Sequence, residues 1–385
     1  MLRRIALTAA AAAAVAGLAA PSAGASRNLM VGIFDEPQSF GNPTWAFAQY
    51  RAARVKALRV NLYWGGPTGV AKRRPANAVN PADPAYDWTR YDTLVRNAAQ
   101  SRIKMVFSIL WTPGWSNGGK APNRAPRRMI DLRNFAFAAA KRYSGSFRPP
   151  AATPQRKQVV APLPAVRHWL AWNEPNNPIF LQPQFVRSGR RFRLWSPRIY
   201  AQICNAIWTG VHLTGLGGQK VACGVTSPTG NNTGSQRRPS VSPLFFLQGM
   251  KRAGARFDAY AHHPYYGHPR EGPNTPPPGP RAVRLGNIDK LIRELTRLYG
   301  RKRVWLTEYG YQTRPPDRAF GVSFARQARY VAQSFAKVRR HPRIDMMLWF
   351  LLKDDRRISK GWQSGFFTVS GRAKPAWRAF RRVRK

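Results

Sequence analysis

Short apolar runs rich in β-branched and aromatic residues recur along this chain, and stretches with apolar positions every three or four residues lie between them. Runs of the first kind predict buried strands, and the intervening stretches predict amphipathic helices. Eight runs qualify: Leu29 to Phe34, Ala57 to Trp64, Ile103 to Trp111, Arg167 to Glu174, Lys220 to Thr226, Phe257 to Tyr265, Arg303 to Tyr309 and Ile344 to Leu352. Helical patterns fall at Trp88 to Ser101, Met129 to Tyr143, Pro197 to Leu213, Ile288 to Leu298 and Phe324 to Val338, with a last short one near Ala376 to Val383. Strand and helix in strict alternation mark a parallel sheet. Eight such units in a row predict an α/β fold of the (β/α)8 kind, the TIM barrel.

Three proline-bearing patches, Phe147 to Pro164, Pro178 to Pro197 and Pro269 to Pro280, break the periodicity and predict long loops. Two of them follow the fourth and sixth runs, on the face where such barrels carry their sites. A patch such as Phe147 to Pro164 could link two domains, but the strand count needs both sides of every patch, so residues 26–385 are expected to form one domain. No short fixed period repeats, which argues against a solenoid.

Residues 1–25 stand apart. Arg3 and Arg4 precede an Ala-rich apolar run and Ala23-Gly24-Ala25, the order of charge, apolar stretch and small residues that marks a secretory signal peptide. The run falls short of the roughly 20 residues needed to span a bilayer, and no later stretch approaches that length. A secreted or cell-envelope protein without a transmembrane span is expected, and as a monomer. Cys204 and Cys223 are the only cysteines; a single disulfide and two buried thiols both fit this compartment and these positions.

Charge narrows the partners rather than the fold. Lys plus Arg number 64 against 16 Asp plus Glu, a formal net charge of +48. Adsorption to an anionic cell wall or polysaccharide would use such charge, as would nucleic acid, but no lysine-rich tail or stripe singles out nucleic acid. Codon usage in a protein facing an anionic envelope explains the charge equally well.

In so basic a chain, acids at the ends of buried runs stand out. Only five Glu are present, and two close apolar runs: Glu174 in Trp172-Asn173-Glu174-Pro175-Asn176 and Glu308 in Trp305-Leu306-Thr307-Glu308-Tyr309-Gly310. Barrel closure would bring both carboxyls to the mouth at the C-terminal face. Such a pair is what glycoside hydrolysis needs, one carboxylic acid to protonate the leaving oxygen and one carboxylate to attack the anomeric carbon.

These motifs resemble clan A retaining glycoside hydrolases, the barrels that include cellulase-like family 5 and xylosidase-like family 39, and the likeness follows strand order through residues 26–385. It implies that Glu174, in the Asn-Glu-Pro closing the fourth run, is the acid/base and that Glu308, closing the seventh, is the nucleophile. By the same resemblance Asn173 hydrogen-bonds the sugar 2-OH, Arg59 sits beneath the nucleophile, and His263-Pro264-Tyr265 is similar to the clan's His-x-Tyr element. Trp349 resembles the clan's aromatic platform under the cleavage subsite. Trp64, Trp111 and Trp115 could add stacking surface for sugar rings or pack in the outer layer.

His262, His263 and His268 match no common zinc spacing and have no cysteine beside them, so no metal is expected. Water and two carboxylates complete the cycle, so no cofactor is expected either. Asp354 and Asp355 directly follow the eighth run, where they could touch substrate, but read rather as a solvated loop. The sequence therefore predicts a secreted retaining glycoside hydrolase acting on a carbohydrate. A glycan-binding barrel without activity and a basic protein that binds an anionic polymer or cell wall are the alternatives. Arg187, Arg190, Arg191 and Arg193, in the loop after the fourth run, hint at an acidic glycan, though solvated loop charge explains them as well.

Overall fold

The computed structural model describes residues 26, 28–150, 160–358 and 361–385, so residues 1–25, expected to be a signal peptide, lie outside the described residues. Ten strands are present among the described residues. β1 (Met30–Phe34), β2 (Ala57–Tyr63), β3 (Lys104–Leu110) and β4 (His168–Ala171) come first, and β5 (Phe185–Ser188) and β6 (Arg191–Leu194) form a separate hairpin. β7 (Lys220–Thr226), β8 (Ala259–His262), β9 (Arg303–Tyr309) and β10 (Ile344–Phe350) follow. All but β5 and β6 pair in parallel and close in the order β1-β2-β3-β4-β7-β8-β9-β10. Each predicted run holds one barrel strand, so the (β/α)8 expectation stands.

The hairpin was not foreseen. Its strands pair antiparallel within the stretch expected to be an irregular loop, because Ser188-Gly189-Arg190-Arg191 turns the chain with Gly189 at φ 59°. The fourth run also ends early. β4 stops at Ala171, and Trp172 and Glu174 take left-handed backbone at φ 70° and 36°, so Glu174 stands on a turn rather than a strand.

Side chains divide by strand parity. Ala57, Val106, Leu170, Ala222, Ala259, Ala261, Trp305, Met346 and Leu348 pack inside the barrel. Leu58, Val60, Leu62, Trp64, Leu306, Tyr309, Met347 and Trp349 belong to the larger layer between sheet and helices. The cysteine question is settled by geometry: Cys204, in the helix Ser196–His212, is bonded to Cys223 on β7, with Cα atoms 6.0 Å apart. Closing so short a loop constrains the unfolded chain by about 3 kcal/mol. Among the described residues no helix is long and apolar enough to cross a membrane.

Candidate active site

Parity alone would send Glu308 the wrong way. Trp305 faces the barrel interior and Leu306 the helices, so Glu308 should share the outer face with Leu306. A bulge corrects this: Leu306 pairs with Met347 but Tyr309 pairs with Trp349, which leaves two residues of β9 opposite one of β10. Thr307 and Glu308 both turn to the mouth, and Tyr309 resumes the outer layer. Bulges commonly re-aim side chains in this way beside active sites. A second bulge on β7, at Val225 (φ 46°), presents the carbonyl that accepts the Glu174 amide at 2.9 Å.

Arg59 is the hub. On β2 it alternates with the outward Leu58 and Val60 and is fully buried. Its Nη1 donates to Glu308 Oε2 (3.1 Å), to the Thr307 carbonyl (3.0 Å) and to His263 Nε2 (3.0 Å), and its Nη2 donates to Asn173 Oδ1 at 2.5 Å. The guanidinium also lies 4.2 Å from the centroid of the Phe34 ring. Burial pulls its pKa down, opposed by the charges of Glu308 and Glu36, so a buried cation is held here by the anions around it.

His263 sits between the two carboxyls, with Nδ1 3.0 Å from Glu174 Oε1 and 3.6 Å from Glu308 Oε2. Burial pushes its pKa down to about 3, so the ring is neutral. Because Arg59 can only donate, His263 Nε2 must accept and the ring proton is on Nδ1, aimed at Glu174. Tyr265 OH donates to Glu308 Oε1 at 2.9 Å. Asn173, its carbonyl taken by Arg59, has its amide NH2 left to offer a ligand.

Glu174, Glu308 and His263 each bring one polar atom within 4.8 Å of the others. For two carboxyls, nearest oxygens within that distance are compatible with the roughly 5–5.5 Å separation of retaining geometry and short of the roughly 6.5–9.5 Å that leaves room for an inverting water. A cation could use the same spacing, but the His263 nitrogen facing the carboxyls carries a proton and Arg59 already supplies positive charge. His262 donates Nε2–H to the Val283 carbonyl at 3.0 Å and meets Thr226 Oγ1 at 2.8 Å, which makes it a packing residue.

The two carboxyls differ in surroundings. Glu174 accepts from Asn177 Nδ2 at 3.3 Å, and burial raises its pKa to about 7 against the opposing pull of Asn177 and Arg59. Glu308 accepts from the cation Arg59 and from Tyr265. Their side chains are 13% and 10% exposed, open to a ligand but largely shielded from water.

Beside the pair opens a cleft of about 760 Å³ lined by Phe34, Glu36, Phe350, Lys353, Arg356 and Trp362 among others. It meets the site through Trp362, whose ring centroid is 4.9 Å from that of Tyr265. A hollow of about 450 Å³ continues beyond Glu36 toward Tyr63 and Trp111.

No protein-family model matches the chain, and no curated protein matches it. Solved structures do. A family 39 glycoside hydrolase from the gut symbiont Bacteroides cellulosilyticus WH2 is similar at TM-score 0.62 and 18% identity, over 93% of this chain and 64% of that one. A glucosidase from Croceicoccus marinus reaches 0.63 at 15% identity over 94% and 68%, and xylanase B from Clostridium stercorarium F9 reaches 0.50 at 14% over 92% and 97%. These likenesses, all under 25% identity, show that the (β/α)8 barrel fold is shared with these glycoside hydrolases. The chain spans just under two thirds of the family 39 enzyme.

Two expected contacts are corrected. Trp349 is fully buried: it has the parity opposite to Met346 and Leu348, stacks on Phe366 at 5.3 Å and donates Nε1–H to the Ser364 carbonyl at 2.8 Å. Trp64, with parity opposite to Arg59, is fully buried between Trp115 and Phe135. Neither reaches the cleft. Trp362 lines it instead. Replacing Trp362 with Ala should therefore lower kcat/KM while leaving Tm nearly unchanged, whereas Trp349→Ala should cost about 3–5 kcal/mol of stability; paired kinetics and melting curves check this. Asp354 is also not solvated, being buried in an ion pair with Lys374 Nζ at 2.8 Å. Asp355 does line the cleft and pairs with Arg357.

Glu36 escaped the sequence reading. It follows β1 directly, accepts from Asn61 N–H at 2.6 Å and Tyr63 OH at 3.0 Å, and borders both hollows. The signal was its place just past the first apolar run, the same position rule that singled out Glu174 and Glu308.

Proposed function

We propose that this protein is a retaining glycoside hydrolase, exported, with Glu174 as acid/base and Glu308 as nucleophile. One observation carries the reading: two carboxyls close enough for double displacement, one raised to about 7 and the other held by a buried arginine and a tyrosine. In the first step the Glu308 carboxylate attacks the anomeric carbon while Glu174 gives its proton to the glycosidic oxygen, so the sugar is transferred to Glu308 as an ester and the aglycone leaves as an alcohol. In the second, Glu174, now ionised, takes a proton from water; the oxygen attacks the same carbon and Glu308 departs. Asn173 donates to the sugar beside the reacting centre, and Trp362 supplies the stacking surface. His263, neutral and fixed by Arg59, orients Glu174. The Cys204–Cys223 disulfide supports an oxidising destination.

The acid must be protonated to act. Because burial raises Glu174 to about 7, kcat/KM for substrates with poor leaving groups should fall as pH rises through about 7 and hold below it on this limb. Dinitrophenyl glycosides, whose leaving group needs no proton, should lose that alkaline limb in the first step; pH–rate profiles for both substrate classes check it.

The reading is tested by hydrolysis of a panel of aryl glycosides and neutral and acidic polysaccharides by the mature chain, beside Glu174→Gln and Glu308→Gln. Turnover abolished in both variants supports it. Turnover that survives both would place the chemistry on other carboxyls, and uptake of glycan without turnover would favour a binding barrel.

A further inference from the structure

Between Glu174 and Asp258 the chain carries no Asp or Glu, the longest such interval in the sequence. That interval supplies two neighbouring loops at the mouth, the one after β4 with the β5–β6 hairpin and the one after β7. Six arginines on them are exposed: Arg187, Arg190, Arg191 and Arg193 on the hairpin, Arg237 and Arg238 on the second loop. Among the described residues none of the six pairs with a carboxylate.

The hairpin register orders this charge. Phe185 stands opposite Leu194 and Arg187 opposite Phe192, while Val186 faces Arg193 and Ser188 faces Arg191. Side chains alternate between faces, so Phe185, Arg187, Phe192 and Leu194 share one face and Val186, Ser188, Arg191 and Arg193 the other. Phe185 and Leu194 pack on the core. Phe192 remains 47% exposed and rests on Gly234 of the second loop, where a Cβ would come within 2.5 Å of its ring. That contact joins the two loops into one surface. Exposed arginine forks suit sugar acids, since the guanidinium matches a carboxylate two-pronged, and Phe192, on the face it shares with Arg187, offers a ring to the apolar face of a pyranose.

We propose that the β5–β6 hairpin and the loop after β7 form a docking surface for a uronate-bearing polysaccharide on the Glu174 side of the mouth. The choice of a polysaccharide over another polyanion rests on the glycoside hydrolase reading, since the same loop carries Glu174 at its start. The surface holds the polymer, and the pair cleaves where the chain crosses the cleft.

Binding of polygalacturonate and alginate to the full mature chain carrying Glu308→Gln isolates docking from cleavage. Two further variants are compared in that background: Arg187, Arg190, Arg191 and Arg193→Gln on the hairpin, and Arg293, Arg326, Arg329 and Arg378→Gln on the outer helices, which remove the same charge. At near-physiological salt the hairpin variant should bind roughly tenfold or more weakly, and the helix variant within about twofold of the parent. Equal weakening in both would mean diffuse charge and overturn the proposal. So would failure of the parent to bind either uronate polymer better than neutral galactan, or a hairpin-dependent preference for single-stranded poly(dT). Since the protein is already catalytically silenced, these outcomes stand apart from whether the unsubstituted chain hydrolyses glycans.

Discussion

Glu308→Gly is expected to lose hydrolysis by roughly 10⁴-fold or more, and to regain it with azide as a glycosyl azide of inverted anomeric configuration. The removed carboxylate leaves space on the face of the sugar opposite the leaving group, and azide entering there displaces the aglycone in a single step. Glu174→Gly should behave differently. With an activated leaving group the sugar still transfers to Glu308, and azide then attacks the ester from the other side, so the azide product keeps the substrate's configuration. The contrast assigns each carboxyl its role, because loss of either through misfolding would give no azide product. Product analysis by NMR is the check, and the same configuration from both variants would undo the assignment.

The second large effect is on stability. Arg59→Met should lower stability by about 3–5 kcal/mol, a fall in Tm of roughly 5–15 °C. The physical reason is what remains. Met fills the space, but the Glu308 carboxylate, the Thr307 and Asn173 carbonyl groups and His263 Nε2 all lose their donor together. Removing the stranded charge as well, in Arg59→Met with Glu308→Leu, should recover part of the loss, since an apolar pair of similar volume avoids leaving one ion buried alone. Arg59→Lys would keep a charge but cannot span partners on three strands, so it should fold better than Arg59→Met and still be catalytically poor. Thermal melts of the single and double variants decide: a double variant no more stable than Arg59→Met would show that the arginine does not act through the buried charge.

Much of this site was legible in the sequence because it depends on strand ends. Glu174, Glu308, His263 and Tyr265 close apolar runs, and barrel closure brings run ends to one mouth. Arg59 was legible for a different reason, since a cation inside an apolar run has to find an anion. The two tryptophans misplaced at the sequence level could have been corrected there by parity. Trp64 is five residues from Arg59, an odd step along a strand, so the two cannot share a face.

Glu308 shows the opposite case. Strict alternation from Trp305 would have turned it outward, and only the bulge on β9 brings it to the mouth. A bulge is fixed by pairing with β10, which periodicity within one run does not report. Trp362 and the β5–β6 hairpin lie in loops, where position depends on contacts such as Trp362 with Tyr265 and Phe192 with Gly234 rather than on local pattern. The Cys204–Cys223 bond likewise required the helix Ser196–His212 to be seated on β7.

The central claim is double displacement by Glu174 and Glu308, and the anomeric configuration of the first-formed sugar tests it most directly. Hydrolysis followed by ¹H NMR before mutarotation should release the sugar with the same anomeric configuration as the substrate bond. Release of the opposite anomer would mean that water attacks directly, and would contradict a covalent step on Glu308.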